Sequence, residues 1–200
     1  MSKSMWDEEY NTDQYVYGKE PNDFLKTHYS AIPKGKVLLL AEGEGRNAVF
    51  LAKNGYQVTA VDISIVGLEK AKKLAAENSV DIDVICEDLE TFDFGEKKWD
   101  GIISISCHLP PALRQEVFKQ IERGLKSSGV FFLEGYRPEQ LNYKTGGPPL
   151  AEMMTSKETL TKELSKLTFT HLKELEREVH EGINHHGLAA VIQAIGTPNK

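Results

Sequence analysis

One alternation constrains this chain more than any other feature. Apolar runs at 37–41 (VLLLA), 57–62 (QVTAVD), 81–86 (DIDVIC), 99–106 (WDGIISIS) and 130–136 (VFFLEGY) are separated by segments of helical periodicity. A short continuous apolar run between turn residues marks a strand buried on both faces. Arg46 to Asn54 carries Val49, Phe50 and Ala52 and stops at Gly55. Ser64 caps a helix running to about Asn78, with Leu68, Ala71, Leu74 and Ala75 on one face. Pro110-Pro111 opens a helix in which Leu113, Val117, Ile121 and Leu125 recur every four residues, and Gly129 ends that unit. Strands alternating with helices build βαβ units and a parallel sheet.

After the fifth run the pattern changes. A Gly/Pro-rich loop, TGGPPL (145–150), leads to Thr155-x-x-Glu158, a capping box for a helix carrying Leu160, Leu164 and Leu167. TFTHLKELEREVH (168–180) fits a strand and a helix about equally, and we read it as a strand. EGINHHG has hairpin composition, and GLAAVIQAIG (187–196) is a buried strand. A hairpin closing a five-stranded parallel sheet is a specific architecture. The first 30 residues are polar and aromatic-rich (Trp6, Tyr10, Tyr15, Tyr17, Phe24, Tyr29), which predicts an appended segment with a short helix after Pro21-Asn22. The chain of 200 residues shows no repeat or long linker, so one domain is expected over 1–200.

Charge and composition exclude some partners. A net charge of -6 argues against a nucleic-acid backbone, which wants a basic surface. The densest basic run, Lys70-Ala71-Lys72-Lys73, reads as a solvated helix face. No apolar run approaches the ~20 residues that cross a bilayer, and MSKSMWDEEYNTD lacks a signal-peptide core. Cys86 and Cys107 both lie near the ends of apolar runs and read as reduced, largely buried thiols. A soluble cytoplasmic protein is the expectation.

The first turn is the most informative. Gly43-Glu44-Gly45-Arg46-Asn47-Ala48 is G-x-G-x-x-A between a strand and a helix, and Asp62 follows Gly43 by 19 residues at the next strand end. Glycines allow close backbone approach. The helix start offers N–H groups to an anion, and a carboxylate at Asp62 can accept both ribose hydroxyls. On these features the ligand is NAD, FAD or S-adenosylmethionine. The third strand then ends Cys86-Glu87-Asp88-Leu89, where an acid can accept from an adenine amino group and the leucine can cover the ring. Two acids at successive strand ends suit an adenosine with no pyrophosphate. A dinucleotide enzyme would need a second half for nicotinamide and substrate.

With these residues in place the chain resembles a class I S-adenosylmethionine-dependent methyltransferase, nearest the tellurite-resistance and thiopurine-type branch. AEGEGRNAVFLA, AVDIS, CEDLETFDF, WDGIISISCHLPP and LKSSGVFFLEGY resemble its motifs, and WDEEY…YVYGKEPNDFL resembles its N-terminal cap over the methyl donor. Leu39 stands where the family carries an acid, Ala41 replaces its first glycine, and Glu42 is an additional acid. The resemblance implies a Rossmann-like, doubly wound α/β fold with a seven-stranded sheet, mostly parallel with an antiparallel last strand. It implies that S-adenosyl-L-methionine lies over the strand ends. Gly43 and Gly45 then line its methionine part, Asp62 holds the ribose, Asp88 with Leu89 holds the adenine, and Arg46 pairs with its carboxylate. Tyr17, Glu42, Asn47, Ile63 and Ser104 complete the expected donor site, with Trp6, Tyr15 and Tyr17 closing over it.

Methyl transfer is an in-line displacement at an already activated carbon, so alignment and water exclusion are the main demands. A base is needed only for a protonated acceptor. The acceptor-side candidates are His108, Tyr136 and His185, with His180 and His186 flanking the same hairpin. Adjacent His185 and His186 point apart and have no ligand set, so no metal is expected. Cys107 is not needed as a nucleophile. The expected partner is a small-molecule acceptor of oxyanion or thiol type, with no nucleic acid, no membrane and a monomeric protein. A non-catalytic donor-binding protein and a nicotinamide-dependent oxidoreductase are the alternatives.

Overall fold

The computed structural model describes residues 2–199. Its seven strands are β1 (Lys36–Leu40), β2 (Gln57–Asp62), β3 (Asp83–Cys86), β4 (Trp99–Ile105), β5 (Leu125–Tyr136), β6 (Leu167–Glu181) and β7 (His185–Pro198). They form one sheet in the order β3-β2-β1-β4-β5-β7-β6. The five strands β1–β5 run parallel, and β7 is antiparallel to both of its neighbours. The expected architecture is therefore present, including the strand over 168–180.

The central strands are apolar on both sides because both sides are covered. Leu38 and Leu40 of β1 join Ile102, Phe131, Leu133, Val117 and Ile121 in one core. Val37 and Leu39 join Ile103, Phe132, Leu51, Leu68 and Phe24 in the other. Alternation along a strand sends successive side chains to opposite faces. Leu39, in the place of a family acid, is fully buried in this second core. The helices are α1 (Lys3–Tyr10), α2 (Asp23–His28), α3 (Arg46–Lys53), α4 (Ile65–Glu77), α5 (Pro111–Gly124) and α6 (Lys157–Glu163). Asn22 caps α2 by accepting from the Leu25 N–H at 3.1 Å, and Ser64 caps α4 by accepting from Gly67 at 3.1 Å.

Several boundaries differ from the sequence reading. Helix α5 stops at Gly124, and Leu125 begins β5 by pairing with Trp99. Gly129 lies within β5 rather than ending a helix, because a Cβ there would come within 2.8 Å of the Trp99 carbonyl. Ser156, not Thr155, caps α6 by accepting from Thr159 at 3.1 Å, and Leu167 belongs to β6. Strand β3 starts at Asp83, where its pairing with Thr59 of β2 begins.

The hairpin turn is carried to the carboxyl edge of the parallel strands. Tyr136 at the end of β5 pairs with Val191, so β7 from His185 to Ala190 overhangs that edge. Chemistry-bearing residues from distant parts of the sequence are thereby brought to one place.

Candidate functional site

The turn after β1 takes left-handed backbone at Ala41 (φ 48°), Gly43 (φ 60°) and Gly45 (φ 88°). An L-residue with a side chain costs about 1–2 kcal/mol there, which Ala41 carries. Gly45 has no latitude, since a Cβ would sit 2.6 Å from that of Ala71 on α4. Asp62 closes the turn from β2. Its Oδ2 accepts from the Gly43 N–H and its Oδ1 from the Ser64 N–H, both at 2.8 Å. Each carboxylate oxygen retains further accepting capacity. Burial raises the Asp62 pKa, and the N–H groups of Ser64, Gly43 and Ile63 oppose the rise.

Glu42 folds back on α3, where its Oε1 accepts from the Ala48 N–H at 2.7 Å. The amino end of α3 is thus partly satisfied by the chain itself, contrary to the expectation of free N–H groups. Burial pushes the Glu42 carboxyl up to about 7, against the pull of Ala48 and Arg46.

Helix α1 covers this turn. Trp6 and Tyr10, one helical turn apart, stack with centroids 5.6 Å apart. Tyr10 fits a slot made by two glycines. A Cβ on Gly43 would lie 2.5 Å from its hydroxyl, and one on Gly67 would lie 2.9 Å from its ring. Ser64 Oγ donates to Asp7 at 2.6 Å, and Asn184 donates to Glu9. Lys70 is not on a solvated face. Its ammonium pairs with Glu44 at 2.5 Å and donates to the carbonyls of Tyr10, Thr12 and Gln14, while Lys72 and Lys73 are exposed. Tyr15 donates to the Lys70 carbonyl at 3.1 Å and does not line the cavity below α1.

That cavity has a volume of about 570 Å³. Its wall holds Glu42, Arg46, Asn47, Asp62, Ile63, Asp88 and Leu89, together with Trp6 and Tyr17. Gly43 lies beneath Tyr10 and Gly45 against Ala71, both behind the wall, and Ser104 is buried within β4. Cys86 is exposed, correcting its expected burial, because β3 is the sheet edge. Cys107 is half-buried in the wall, and burial together with Asp62 pushes its thiol up to about 12, so it stays protonated.

The acceptor-side candidates lie together. His108 and Tyr136 stack with centroids 5.4 Å apart, and Tyr136 meets His185 edge-on at 5.3 Å. Tyr17 lies 4.7 Å from the His185 ring. His108 and His185 line the cavity, and Tyr136 stands directly behind them. His108 Nε2, the Tyr136 hydroxyl and His185 Nδ1 are all buried without a hydrogen-bond partner. Burial, with His185 nearby, drives the His108 pKa down to about 3 and keeps the ring neutral. Burial likewise raises the Tyr136 phenol well above its usual range. His180 and His186 are exposed and face each other, with Nδ1 atoms 3.3 Å apart, while His185 points inward.

A buried ionic network that the sequence reading missed underlies this cluster. Asn22 Nδ2 donates to Glu134 at 2.7 Å and to Glu181 at 2.8 Å. Arg177 pairs with Glu134 at 2.5 Å, and Gln193 donates to Glu134 at 2.6 Å. Arg46 Nη2 pairs with Glu181 at 2.6 Å, while its buried Nη1 has no partner. Alternation along β6 places Arg177 and Glu181 on one face, but no local motif names their partners.

These features fit S-adenosylmethionine. An acid stands at each of two successive strand ends, and an unpartnered guanidinium nitrogen lies beside the glycine turn. Bound there, the donor supplies a methyl group on a positively charged sulfur. Among the described residues no group of three or more His, Cys, Asp or Glu is arranged to hold a metal, and no helix is long and apolar enough to cross a membrane.

Fold and site together define a methyl-transferring enzyme. A methyltransferase domain family matches residues 37–129. An uncharacterized methyltransferase of Synechocystis is 34% identical over 150 residues, spanning 73% of this chain and 68% of the relative. Two solved structures have the same fold. One, from work on conversion of a disulfide bond into a thioacetal group during echinomycin biosynthesis, has a TM-score of 0.79 at 15% identity and covers 99% of this chain and 93% of its own. TehB from Haemophilus influenzae has a TM-score of 0.74 at 16% identity, covering 98% of this chain and 67% of its own. The chain belongs to the class I S-adenosylmethionine-dependent methyltransferases.

Proposed function

We propose that the protein methylates a small-molecule acceptor by in-line transfer, using the two ends of this one cavity. The adenosyl donor lies at the acidic end. Asp62 faces its ribose, Asp88 and Leu89 its adenine with Ile63 beside them, and Arg46 Nη1 its carboxylate. Gly43, Gly45, Glu42 and Asn47 shape the turn, and Ser104 backs it from β4. Residues 1–30 act as a cap, with Tyr17 at the junction of the two ends. The acceptor sits by His108, Tyr136 and His185.

The observation that carries the reading is what one cavity brings together: Asp62 and Asp88, which follow successive strands, and His108 and His185, each with a buried nitrogen that lacks a hydrogen-bond partner. Of the oxyanion and thiol types, the charges favour a thiol. The wall carries Glu9, Asp62, Glu87, Asp88 and Glu90, while Glu44 is neutralised by Lys70 and the one arginine is already paired with Glu181. Such a field attracts a sulfonium and repels an oxyanion. The thioacetal-forming structural relative adds that this fold houses chemistry at sulfur. The cover of α1 and the net charge of -6 favour a small acceptor over nucleic acid, with one domain working as a cytoplasmic monomer.

Incubation with S-adenosylmethionine and a panel of thiols, selenite and tellurite tests this. Formation of S-adenosylhomocysteine that depends on a small acceptor is expected. Donor binding with turnover only on RNA or protein would contradict it.

A further inference from the structure

We propose that His185, oriented by Glu181, is the general base of the reaction, and that the acceptor therefore enters with a proton on its attacking atom, as a neutral thiol. This rests on the donor and acceptor ends assigned above and deepens that reading.

Three observations place the base at His185 rather than at His108 or Tyr136. First, His185 sets a ring nitrogen toward a carboxylate, whereas Tyr136, which also lies near Glu181, is a phenol whose pKa burial and that charge raise, so it keeps its proton. The His185 Nδ1 lies 3.8 Å from Glu181 Oε2, longer than a hydrogen bond, as catalytic contacts often are before substrate binds. Second, that carboxylate is built to stay charged. Burial works to raise its pKa, but the charge of Arg46 and the contacts from His185, Arg46 and Asn22 outweigh burial and hold it well below the usual range. A base backed by an orienting acid is the arrangement that proton-taking imidazoles need. Third, the ring is held but not satisfied. Tyr17 and Tyr136 pack on it, and with Nδ1 turned to Glu181 the proton-accepting atom is Nε2. Its Cδ2 edge faces Gly146, where a Cβ would come within 2.7 Å, and Gly146 belongs to the cavity wall.

His108 cannot share the task. Its half-buried ring stacks on Tyr136, away from Glu181, and burial with His185 nearby lowers its pKa, so it is the weaker proton acceptor and is suited to orienting a bound group. The groups facing His185 are thus Glu181, Tyr17, Tyr136 and His108, with Arg46 reaching it through Glu181.

In the step itself the thiol proton moves to the His185 imidazole. The sulfur lone pair forms the new bond to the methyl carbon, the old carbon–sulfur bond breaks, and its electron pair remains on the departing thioether. The imidazolium later releases its proton to water. Glu181 touches no reactant and is a positioning residue.

Two probe thiols test this: 2-mercaptoethanol, protonated at pH 7, and thionitrobenzoate, already ionised. His185→Gln is expected to lower kcat on 2-mercaptoethanol about 100-fold or more, within the usual contribution of a general base. Thionitrobenzoate should change less than about 3-fold, because it has no proton to lose. S-adenosylhomocysteine affinity and melting temperature should stay at the wild-type values. Added imidazole should restore turnover to His185→Ala, and Glu181→Gln should lower kcat while leaving the KM for 2-mercaptoethanol in place. Equal losses on both thiols would overturn the proposal. So would methylation of selenite alone, or no methylation of either thiol by protein that binds S-adenosylhomocysteine. Failure to bind S-adenosylhomocysteine would overturn the donor reading and this proposal with it.

Discussion

The two ends of the cavity are built in different ways. The proposed donor end comes from the ends of β1, β2 and β3, and its backbone contacts are short-range in sequence. Asp62 and the Gly43 N–H it holds are 19 residues apart. The acceptor end is assembled from the loop after β4, the end of β5 and a hairpin, and its supporting contacts join Asn22 to Glu181 and Arg46 to Glu181 across 159 and 135 residues. The donor end is shaped by backbone N–H groups and glycines. The acceptor end is shaped by side chains that must satisfy one another in a buried place. A site of the first kind can be kept by a short motif, whereas one of the second kind depends on the whole sheet having formed.

Arg46 joins the two ends, so its removal should have the largest effect on stability. Arg46→Ala leaves Glu181 buried without its closest cation, at a cost of about 3 kcal/mol. A large fall in melting temperature is expected, together with weaker S-adenosylhomocysteine binding. A stable variant that loses only donor binding would mean that the ends are independent.

Gly67→Ala separates local from long-range demands at the donor end. Within α4 the change should favour helix by about 1 kcal/mol, yet its Cβ would meet the Tyr10 ring at 2.9 Å. Helix α1 should be released and become accessible to limited proteolysis, with Gly67→Ala/Tyr10→Ala recovering the helix gain. Protection equal to wild type would show that the slot does not seat α1.

Glu42→Gln gives the smallest effect and tests the electrostatics of the turn. Burial raises the folded pKa of Glu42 to about 7 from an ordinary 4.5. The folded chain therefore holds a proton that the unfolded chain releases between these values. Its contribution is full below about pH 4.5 and is lost as pH rises through about 7. Wild-type stability should fall relative to Glu42→Gln on going from about pH 5 to 8, by an upper limit of about 2.5 kcal/mol that solvent screening of this half-buried side chain reduces. Parallel melting curves against pH would indicate that Glu42 is well solvated.

The same contrast explains what was legible in the sequence. The βαβ order, the glycine turn, Asp62 and Asp88 were readable because periodicity and strand-end position are local properties. The hairpin was readable from composition. Ala41 looked like a departure, but it takes the left-handed backbone of the missing glycine, and Leu39 is a core residue. Lys70 looked solvated because its partners, Glu44 and three carbonyls after α1, lie 26 to 60 residues away. Glu134, Arg177 and Glu181 gave no signal, because a charged residue on an alternating strand reads the same whether it faces solvent or a buried partner.

The measurement closest to the central claim is a calorimetric titration with S-adenosylhomocysteine, comparing wild type with Asp62→Ala and using NADH as a control. Asp62 accepts two backbone N–H bonds and faces the proposed ribose position, so its loss should weaken binding at least about 100-fold, near 3 kcal/mol. Saturable one-to-one binding that Asp62→Ala abolishes, with no response to NADH, is the predicted result. Binding that survives in Asp62→Ala, or a response to NADH alone, would contradict the account.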